Sequence, residues 1–292
     1  MIRDFVYLSP SGLKEALTFL SEYKDKCKII GGGQSLLILM RQGLVSPEYL
    51  IDIKHLKELN YIHFDSKEGL KIGATTTHRA IEKSSLINEH FPVLINMEQN
   101  LASIQTRNWG TIGGNLAHAD PAGDPGPVLI ALKAIVKVAN KDRERTLPIE
   151  EFFLDYFETA LEEGELLLEI QIPVTPPKTA TVYEKFNIIK NEQAIVSVAA
   201  SITLDKNGLN CTDARIVLGA SAPIPKRAKE AEQMLVGQKL TDGLLDQVSK
   251  KASEEAEPVA DIHATEEYRR YLVQVLTKKT LKNAWKQAEA SA

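Results

Sequence analysis

Two glycine-rich stretches, GGGQSL at residues 31–36 and GTIGGN at residues 110–115, decide how this chain folds and what it can hold. Glycine has no Cβ and tolerates positive φ, so the main-chain N–H groups of such turns can converge on one anion. Two turns of this kind predict a site that grips a diphosphate from both sides. The common nucleotide motifs are excluded, since the chain has neither G-x-x-x-x-G-K-[ST] nor a G-x-G-x-x-G that opens a helix.

The first glycine turn lies within a small β-α-β pattern. Residues 28–30 form a compact apolar strand that leads into the turn, and a short helix is expected to leave it. Apolar residues at three- and four-residue spacings predict a helix over residues 13–23, between strands at 5–8 and 49–53. We therefore expect residues 1–56 to form an N-terminal α/β lobe.

The second glycine turn lies in a longer region of paired strands and short helices, residues 57–177. Its strands are predicted at 59–64, 70–74, 134–139 and 166–172, and its helices at 77–83, 91–100 and 124–132. Pro173, Pro176 and Pro177 then interrupt the strand pattern and predict a linker. This region is expected to form a second, α+β lobe.

Residues 178–292 have the pattern of an antiparallel sheet followed by helices. The strands are predicted at 181–186, 194–204 and 211–218, and the helices at 226–236, 241–255 and 265–289. The whole chain is therefore predicted to be α+β, with two lobes followed by a C-terminal sheet-and-helix domain.

The charge balance excludes several classes of partner. The 292 residues carry a net charge of −4 and a pI near 5.9. Nucleic-acid-binding and membrane-surface proteins cluster positive charge, so neither role is expected. No apolar run approaches the roughly 20 residues of a membrane span. The first residues also lack a secretory signal pattern, and we expect a cytoplasmic protein.

The chain offers little chemistry of its own. Cys27 and Cys211 cannot supply the four thiolates of an iron–sulfur cluster, and they have no metal-ligand spacing. The sequence contains no G-x-S-x-G, no H-E-x-x-H and no evident pair of catalytic carboxylates. We therefore assign no catalytic residue and no metal ligand to this chain, and we expect any metal chemistry on another chain.

Four residues near the second turn or beyond it are candidates for ligand contact. Asp124 has two interpretations: it binds a ribose hydroxyl, or it caps the helix that starts at the following proline. For His118, a surface or a hydrogen-bonding role is favoured over ligand contact. Trp109 and Tyr183 can stack on a heteroaromatic ring, although a place in the core or an interface is favoured for both.

Three longer stretches carry a resemblance to a known family. They are IGGGQSLL at 30–37, RNWGTIGGNLAHADPAGD at 107–124 and EGELLLEIQIP at 163–173. Together they closely resemble the FAD-binding medium subunits of molybdenum hydroxylases, the group that includes carbon monoxide dehydrogenase and xanthine dehydrogenase type enzymes. The likeness covers essentially the whole chain.

The resemblance implies a fold and a set of contacts. The two lobes would be of the vanillyl-alcohol-oxidase or PCMH type and, with the C-terminal domain, would enclose an extended, noncovalently bound FAD. By position, the implied FAD contacts are Ile29, Ile30, Gly31, Gly32, Gly33, Gln34, Ser35, Leu36, Leu101, Thr111, Ile112, Gly113, Gly114, Asn115, Asp124, Leu167 and Lys185.

The resemblance also implies an oxidoreductase subunit that transfers electrons. A large partner subunit would oxidise the substrate at a molybdenum–pterin centre, and a small partner with [2Fe-2S] clusters would pass electrons to the FAD of this chain. The reduced flavin would deliver them to an external acceptor, within a dimer of heterotrimers. Many relatives carry an acidic residue and then an aromatic one where this chain has Glu192 and Gln193. The cover of the flavin ring on that side is therefore left open.

Two other functions remain as alternatives. The first is a self-sufficient flavin oxidase of the vanillyl-alcohol type, although the residues after the linker leave little room for a substrate domain. The second is an assembly scaffold that has lost the flavin, which the intact glycines, Asn115 and Asp124 disfavour. Replacing Gly113 by a bulky residue is expected to abolish FAD binding by blocking the turn, whereas a scaffold would keep its partners.

Overall fold

The computed structural model describes residues 2–291, beginning with a small parallel sheet. Its elements are β1 (Val6–Leu8), α1 (Leu13–Tyr23), β2 (Cys27–Ile30), α2 (Leu36–Arg41) and β3 (Tyr49–Asp52). The three strands run parallel in the order β1-β3-β2. Helix α1 buries Ala16, Leu17 and Leu20 on one face, as its apolar spacing predicts. The first glycine turn follows the end of β2 and leads into α2.

The next region is built on a five-stranded antiparallel sheet. Its strands are β4 (Ile62–Asp65), β5 (Gly69–Gly73), β6 (Ile135–Ala139), β7 (Glu144–Pro148) and β10 (Leu166–Ile172), in the order β4-β5-β10-β6-β7. A short hairpin, β8 (Phe153–Asp155) and β9 (Glu158–Thr159), precedes β10. The pattern of alternating apolar residues predicted four of these five strands within a few residues, and β7 was missed.

Six short helices connect β5 to β6. They are α3 (His78–Lys83), α4 (Ser85–His90), α5 (Pro92–Asn100), α6 (Ile104–Trp109), α7 (Ile112–His118) and α8 (Pro125–Ala131). Three of them, α4, α6 and α7, were not predicted. Each of the three is capped by the side chain of the preceding Ser84, Ser103 or Thr111. Helix α7 forms although it contains Gly113 and Gly114, because packing overrides the low helix propensity of glycine.

The C-terminal part is a four-stranded antiparallel sheet covered by helices. Its strands are β11 (Thr179–Phe186), β12 (Val196–Leu204), β13 (Cys211–Gly219) and β14 (Lys226–Arg227), and its helices are α9 (Lys229–Gln233), α10 (Asp242–Glu255) and α11 (Glu266–Ala290). The helix predicted over 226–236 is wrong at its start. Arg227 instead extends the sheet, pairs with Val217 and forms an ion pair with Glu232.

Side chains of single strands pack into two neighbouring hydrophobic cores and so join the three large sheets. On β10, Leu166 and Leu168 join the core of the N-terminal lobe, whereas Leu167 and Ile170 join the core beneath the short helices. Residues of β12 and β13 likewise pack on α8 as well as on α10 and α11. These shared cores fix the positions of the two lobes and the C-terminal sheet relative to one another. Within residues 2–291, no helix combines the length and apolar character that a bilayer crossing requires.

Candidate functional site

The two glycine turns touch each other. A Cβ added to Gly32 would lie 2.1 Å from the carbonyl oxygen of Trp109 and 2.6 Å from the Cα of Gly110. Only a residue without a side chain permits this approach. Both turns line one cavity of about 790 Å³ between the lobes. The condition on which a shared diphosphate site depends, that the turns lie side by side, is therefore met.

The first turn presents a row of unused donors. The main-chain N–H groups of residues 31 to 35, five in succession, make no hydrogen bond to any acceptor in residues 2–291. Gly33 has φ +69°, a conformation that favours glycine. Unpaired amides are costly unless water or a ligand accepts from them. This row is the strongest anion-binding feature of the cavity.

The second turn differs from its expected role. The N–H groups of Ile112 and Gly113 donate to the carbonyls of Thr76 and Ala74, and those of Gly114 and Asn115 donate to the Thr111 side chain and carbonyl. Of residues 111–115, Thr111 alone keeps an N–H without an acceptor in the described chain. The prediction of a second set of free amides is therefore wrong.

The glycines of the second turn serve packing instead. A Cβ on Gly113 would lie 2.6 Å from the Cβ and carbonyl oxygen of Ala74. Gly113 thus lets α7 lie against the end of β5. A bulky residue at position 113 would first displace Ala74. It would therefore act by disturbing the packing of α7, and not by blocking an amide turn as the sequence predicts.

Most of the residues implied by the resemblance are gathered around this cavity. Its lining includes Ile29, Ile30, residues 31–36, Leu101, Thr111, Gly113, Gly114, Asn115, Asp124 and Leu167. Two of the implied residues are not part of the lining. Ile112 is fully buried at the start of α7, and Lys185 reaches the site only through Asp124.

Asp124 is the centre of a buried polar cluster. Its two carboxylate oxygens accept from the Tyr183 hydroxyl at 2.5 Å and from Lys185 Nζ at 2.9 Å. Burial raises the pKa of the Asp124 carboxyl, and the hydrogen bonds from Lys185 and Tyr183 oppose that effect. The side chain makes no capping hydrogen bond to α8, so the capping alternative is wrong. Tyr183 is buried here as a hydrogen-bond donor to this carboxylate.

A second buried pair lies beside the cavity and has no signal in the sequence. His78, the first residue of α3, lines the cavity, and its Nδ1 lies 3.0 Å from Oε1 of Glu98 on α5. Burial raises the pKa of the Glu98 carboxyl. Isolated His and Glu residues twenty positions apart form no recognisable motif. Their pairing depends on how α3 packs against α5.

The mouth of the cavity is bordered by a loop at residues 187–193. Asn191, Glu192 and Gln193 belong to the lining, and Gln193 Nε2 donates to Asp120 Oδ2 at 3.0 Å. His118, for which ligand contact was disfavoured, also lines the cavity. Trp109 is 57% exposed beneath Lys54, so it lies outside the core, and its place in an interface stays a prediction.

The lining of the cavity combines polar groups with apolar side chains. The apolar side chains, which we call the apolar wall, include Leu39, Val45, Leu101, Ala102, Leu161, Leu166 and Leu167. In residues 2–291, no group of three or more His, Cys, Asp or Glu side chains could hold a metal ion. The arrangement suits an extended ligand with an anionic group at one point and an apolar ring system at another.

Two family models together match nearly the whole chain. The model described as the FAD binding domain in molybdopterin dehydrogenase matches residues 3–175. The model described as the CO dehydrogenase flavoprotein C-terminal domain matches residues 181–284.

Relatives and solved structures agree with these matches. The glyceraldehyde dehydrogenase medium chain of Sulfolobus acidocaldarius is 35% identical, over 96% of this chain and 98% of its own length. The carbon monoxide dehydrogenase medium chain of Hydrogenophaga pseudoflava is 30% identical over 96% and 97%. A structure of carbon monoxide dehydrogenase from the same organism superimposes with a TM-score of 0.93 at 31% identity, covering 98% of each chain. Quinoline 2-oxidoreductase from Pseudomonas putida gives a TM-score of 0.92 at 30% identity, over 99% of each chain.

Proposed function

The chain belongs to the family of FAD-binding medium subunits of molybdenum hydroxylases, and we propose that it relays electrons through FAD from partner iron–sulfur clusters to an external acceptor. Family membership makes it an oxidoreductase subunit with an FAD-binding domain. The observation that carries the proposal is the row of five unpaired amides in a cavity that both lobes enclose.

The residues of the cavity fit an FAD. Its volume, about 790 Å³, lies in the range of cofactor pockets, about 300–1,000 Å³. The N–H groups of residues 31–35 match the oxygen atoms of a diphosphate. Without such a ligand or water, these donors have no acceptor. The apolar wall matches an aromatic ring system. Asp124, already held by Lys185 and Tyr183, offers a fixed acceptor to a ligand hydroxyl.

This chain's contribution is to bind, orient and shield. A bound flavin supplies the ability to accept electrons singly and release them singly or in pairs. The first turn holds the anionic part of the cofactor, and the wall at Leu101 and Leu167 keeps water from its apolar part. The ion pair of Lys185 with Asp124 fixes the position of the buried carboxylate. None of these roles requires a nucleophile or a general base.

The proposed partners follow from the family. We propose a large subunit with a molybdenum–pterin centre, a small subunit with [2Fe-2S] clusters, and a dimer of such heterotrimers. Support comes from the relatives, which are named as medium chains or as subunits of complexes. The cytoplasmic location, the three domain boundaries and the individual FAD contacts remain predictions.

Two experiments test the proposal. Purified chain, stripped of flavin, is titrated with FAD and followed by quenching of flavin fluorescence; we expect binding of one FAD per chain. A protein that is purified without flavin and refuses added FAD would overturn the cofactor assignment. In the assembled complex, substrate should reduce the flavin only when the iron–sulfur subunit is present. Direct reduction of the isolated chain's flavin by the substrate would overturn the relay and favour a self-sufficient oxidase.

A further inference from the structure

His78 and Glu98 form a buried pair at the wall of the cavity, within electrostatic reach of the Asp124 carboxylate. The two side chains are 3% and 0% exposed, and Nδ1 of His78 lies 3.0 Å from Oε1 of Glu98. The main-chain N–H of His78 donates to the carbonyl of Gly110, which ties the histidine to the second turn. The other edge of the ring lies toward that turn, since Cδ2 would be 3.2 Å from a Cβ on Gly110.

The second ring nitrogen has no partner within the protein. Nδ1 faces Glu98, and Nε2 makes no hydrogen bond to any residue in the range 2–291. The His78 side chain is itself part of the cavity lining. Nε2 is therefore a fixed polar atom at the wall, available to a ligand.

The charges around the pair decide which hydrogen atoms it carries. Two other charged groups act on the Glu98 carboxyl, the Arg107 cation and the Asp124 carboxylate. Arg107 is bound by Glu82 at 3.0 Å and by the carbonyls of residues 101 and 102, and Asp124 is paired with Lys185. Glu98 Oε2 is buried and has no hydrogen-bond partner within residues 2–291. An ionised Glu98 beside a neutral His78 would be an uncompensated buried charge, which is strongly unfavourable.

The pair therefore keeps one shared proton between Nδ1 and Oε1. If that proton is on His78, the ring is an imidazolium and Nε2 also carries a hydrogen atom. If it is on Glu98, the carboxylic acid donates to Nδ1, and a neutral ring must carry its own hydrogen atom on Nε2. Both arrangements place an N–H donor at the cavity wall.

We propose that Nε2–H of His78 donates a hydrogen bond to an acceptor atom of the bound flavin nucleotide and that Glu98 is the positioning residue that keeps this hydrogen atom on Nε2. This assignment rests on the proposed function, because it takes the cavity to be the FAD site. His78 thereby joins the site as a neutral or cationic donor, separate from the amides of the first turn. His118, which lines the same cavity and contacts the Phe157 ring, makes no hydrogen bond to a carboxylate within residues 2–291.

The test compares His78→Leu, His78→Gln and His118→Leu by FAD titration of the flavin-free chain. Removing a donor to a buried acceptor costs about 1–3 kcal/mol, so His78→Leu should weaken FAD binding by roughly 5- to 150-fold. His78→Gln, whose amide can donate from a similar position, should recover part of the loss. His118→Leu should change the affinity by less than about threefold, since it removes no fixed donor. Thermal melting of each variant shows whether it is folded.

A measurement on the wild-type chain keeps the proposal testable if His78→Leu does not fold. Nitrogen-15 NMR of the flavin-free protein should show the His78 Nε2 protonated, with a shift on adding FAD. In Glu98→Gln the protonation pattern of the ring should change. A His78 with its hydrogen atom on Nδ1 and a bare Nε2, or a folded His78→Leu that binds FAD as the wild type does, would overturn the inference. Failure of the wild type to bind FAD would instead overturn the proposed function.

Discussion

The two glycine turns look alike in sequence and differ in what their backbones do. Within residues 2–291, the turn at residues 31–36 leaves five successive N–H groups without acceptors, whereas the turn at 110–115 uses nearly all of its own. The first turn presents uncharged main-chain donors. The second turn has few free donors and lies near three buried ionisable residues. We call residues 110–115 together with His78, Glu98 and Asp124 the sealed wall of the cavity. Glycine content alone therefore does not identify an anion site; the hydrogen-bond partners of each amide do.

The difference also separates two uses of glycine. In the first turn, Gly33 allows a positive φ that orients the amides. In the second, Gly113 removes a side chain so that a helix can pack on Ala74. A substitution at Gly33 should therefore act on ligand binding and one at Gly113 on folding. A substitution at Gly32, where the two turns touch, should act on both.

The stability of the sealed wall should depend most on the buried ion pair of Asp124 with Lys185. Lys185→Met leaves Asp124 charged, buried and without its cation, which should destabilise the fold by about 3–5 kcal/mol. Urea unfolding of the flavin-free chain measures this loss. The matched control is Lys133→Met, because the Lys133–Asp213 pair has a similar distance of 2.7 Å but both side chains are about half exposed. That control should lose less than about 1 kcal/mol.

A double variant separates charge burial from lost packing. Asp124→Asn combined with Lys185→Met removes the uncompensated charge and should recover part of the stability lost in Lys185→Met alone. Equal losses in Lys185→Met and Lys133→Met would contradict the sealed, charge-bearing wall.

The contact of Gly32 with Trp109 and Gly110, where the two turns touch, should be the next most sensitive to substitution. Gly32→Ala places a Cβ against the carbonyl of Trp109 and forces the two turns apart. We expect a loss of about 1–3 kcal/mol in unfolding free energy, as for other overpacked sites, together with weaker FAD binding. Calorimetry and FAD titration measure the two effects.

Gly243→Ala is the control for Gly32→Ala. Gly243 lies in α10 with no atom within 4 Å of its added Cβ. Alanine there should raise stability by about 0.5–1 kcal/mol, through helix propensity alone. Unchanged FAD affinity in a folded Gly32→Ala would mean that the two turns do not hold one ligand.

The cap of the second turn should affect folding more than binding. Thr111→Val removes the hydroxyl that accepts from the Gly114 N–H at 3.2 Å, and should cost about 1 kcal/mol. Thr241→Val removes the equivalent cap of α10, far from the cavity, and should cost a similar amount. If the free donors lie on the first turn, the FAD dissociation constant of Thr111→Val should rise by less than about threefold. A tenfold rise in Thr111→Val alone would assign direct ligand contacts to the second turn.

The smallest effect is expected for the loop at residues 187–193, in which Gln193 donates a hydrogen bond to Asp120. Gln193→Ala removes one exposed hydrogen bond to Asp120, worth about 0.5–1 kcal/mol, so FAD should dissociate about two to five times faster. Gln193→Glu places a second carboxylate against Asp120 and should speed dissociation further. Stopped-flow displacement of FAD measures both rates, and identical rates in all three proteins would show that the loop does not restrain the ligand.

Local periodicity was enough to predict the longer elements. Helix α1 and strand β10 have the predicted bounds, because each carries an uninterrupted apolar pattern of the right period. The helices α4, α6 and α7 were missed although α3, which has six residues, was predicted, so length alone does not explain the difference. In α7, Gly113 and Gly114 lower the helix propensity and favour the interpretation as a turn. At Arg227 an ion pair and a sheet partner decided the local structure against a helical pattern.

Sequence patterns were sufficient to predict the α+β fold class, the two glycine turns and, through the family resemblance, the cofactor class. They also showed that the two cysteines have no metal-ligand spacing. Most of the implied site residues line one cavity because they follow contiguous motifs. Packing of distant elements was needed to show which amides are free, that Lys185 contacts Asp124, and that His78 meets Glu98. These features escape a sequence pattern because a hydrogen bond between distant residues depends on how helices and sheets pack. A local pattern fixes the period of an element but not the partner that its backbone and buried charges will find.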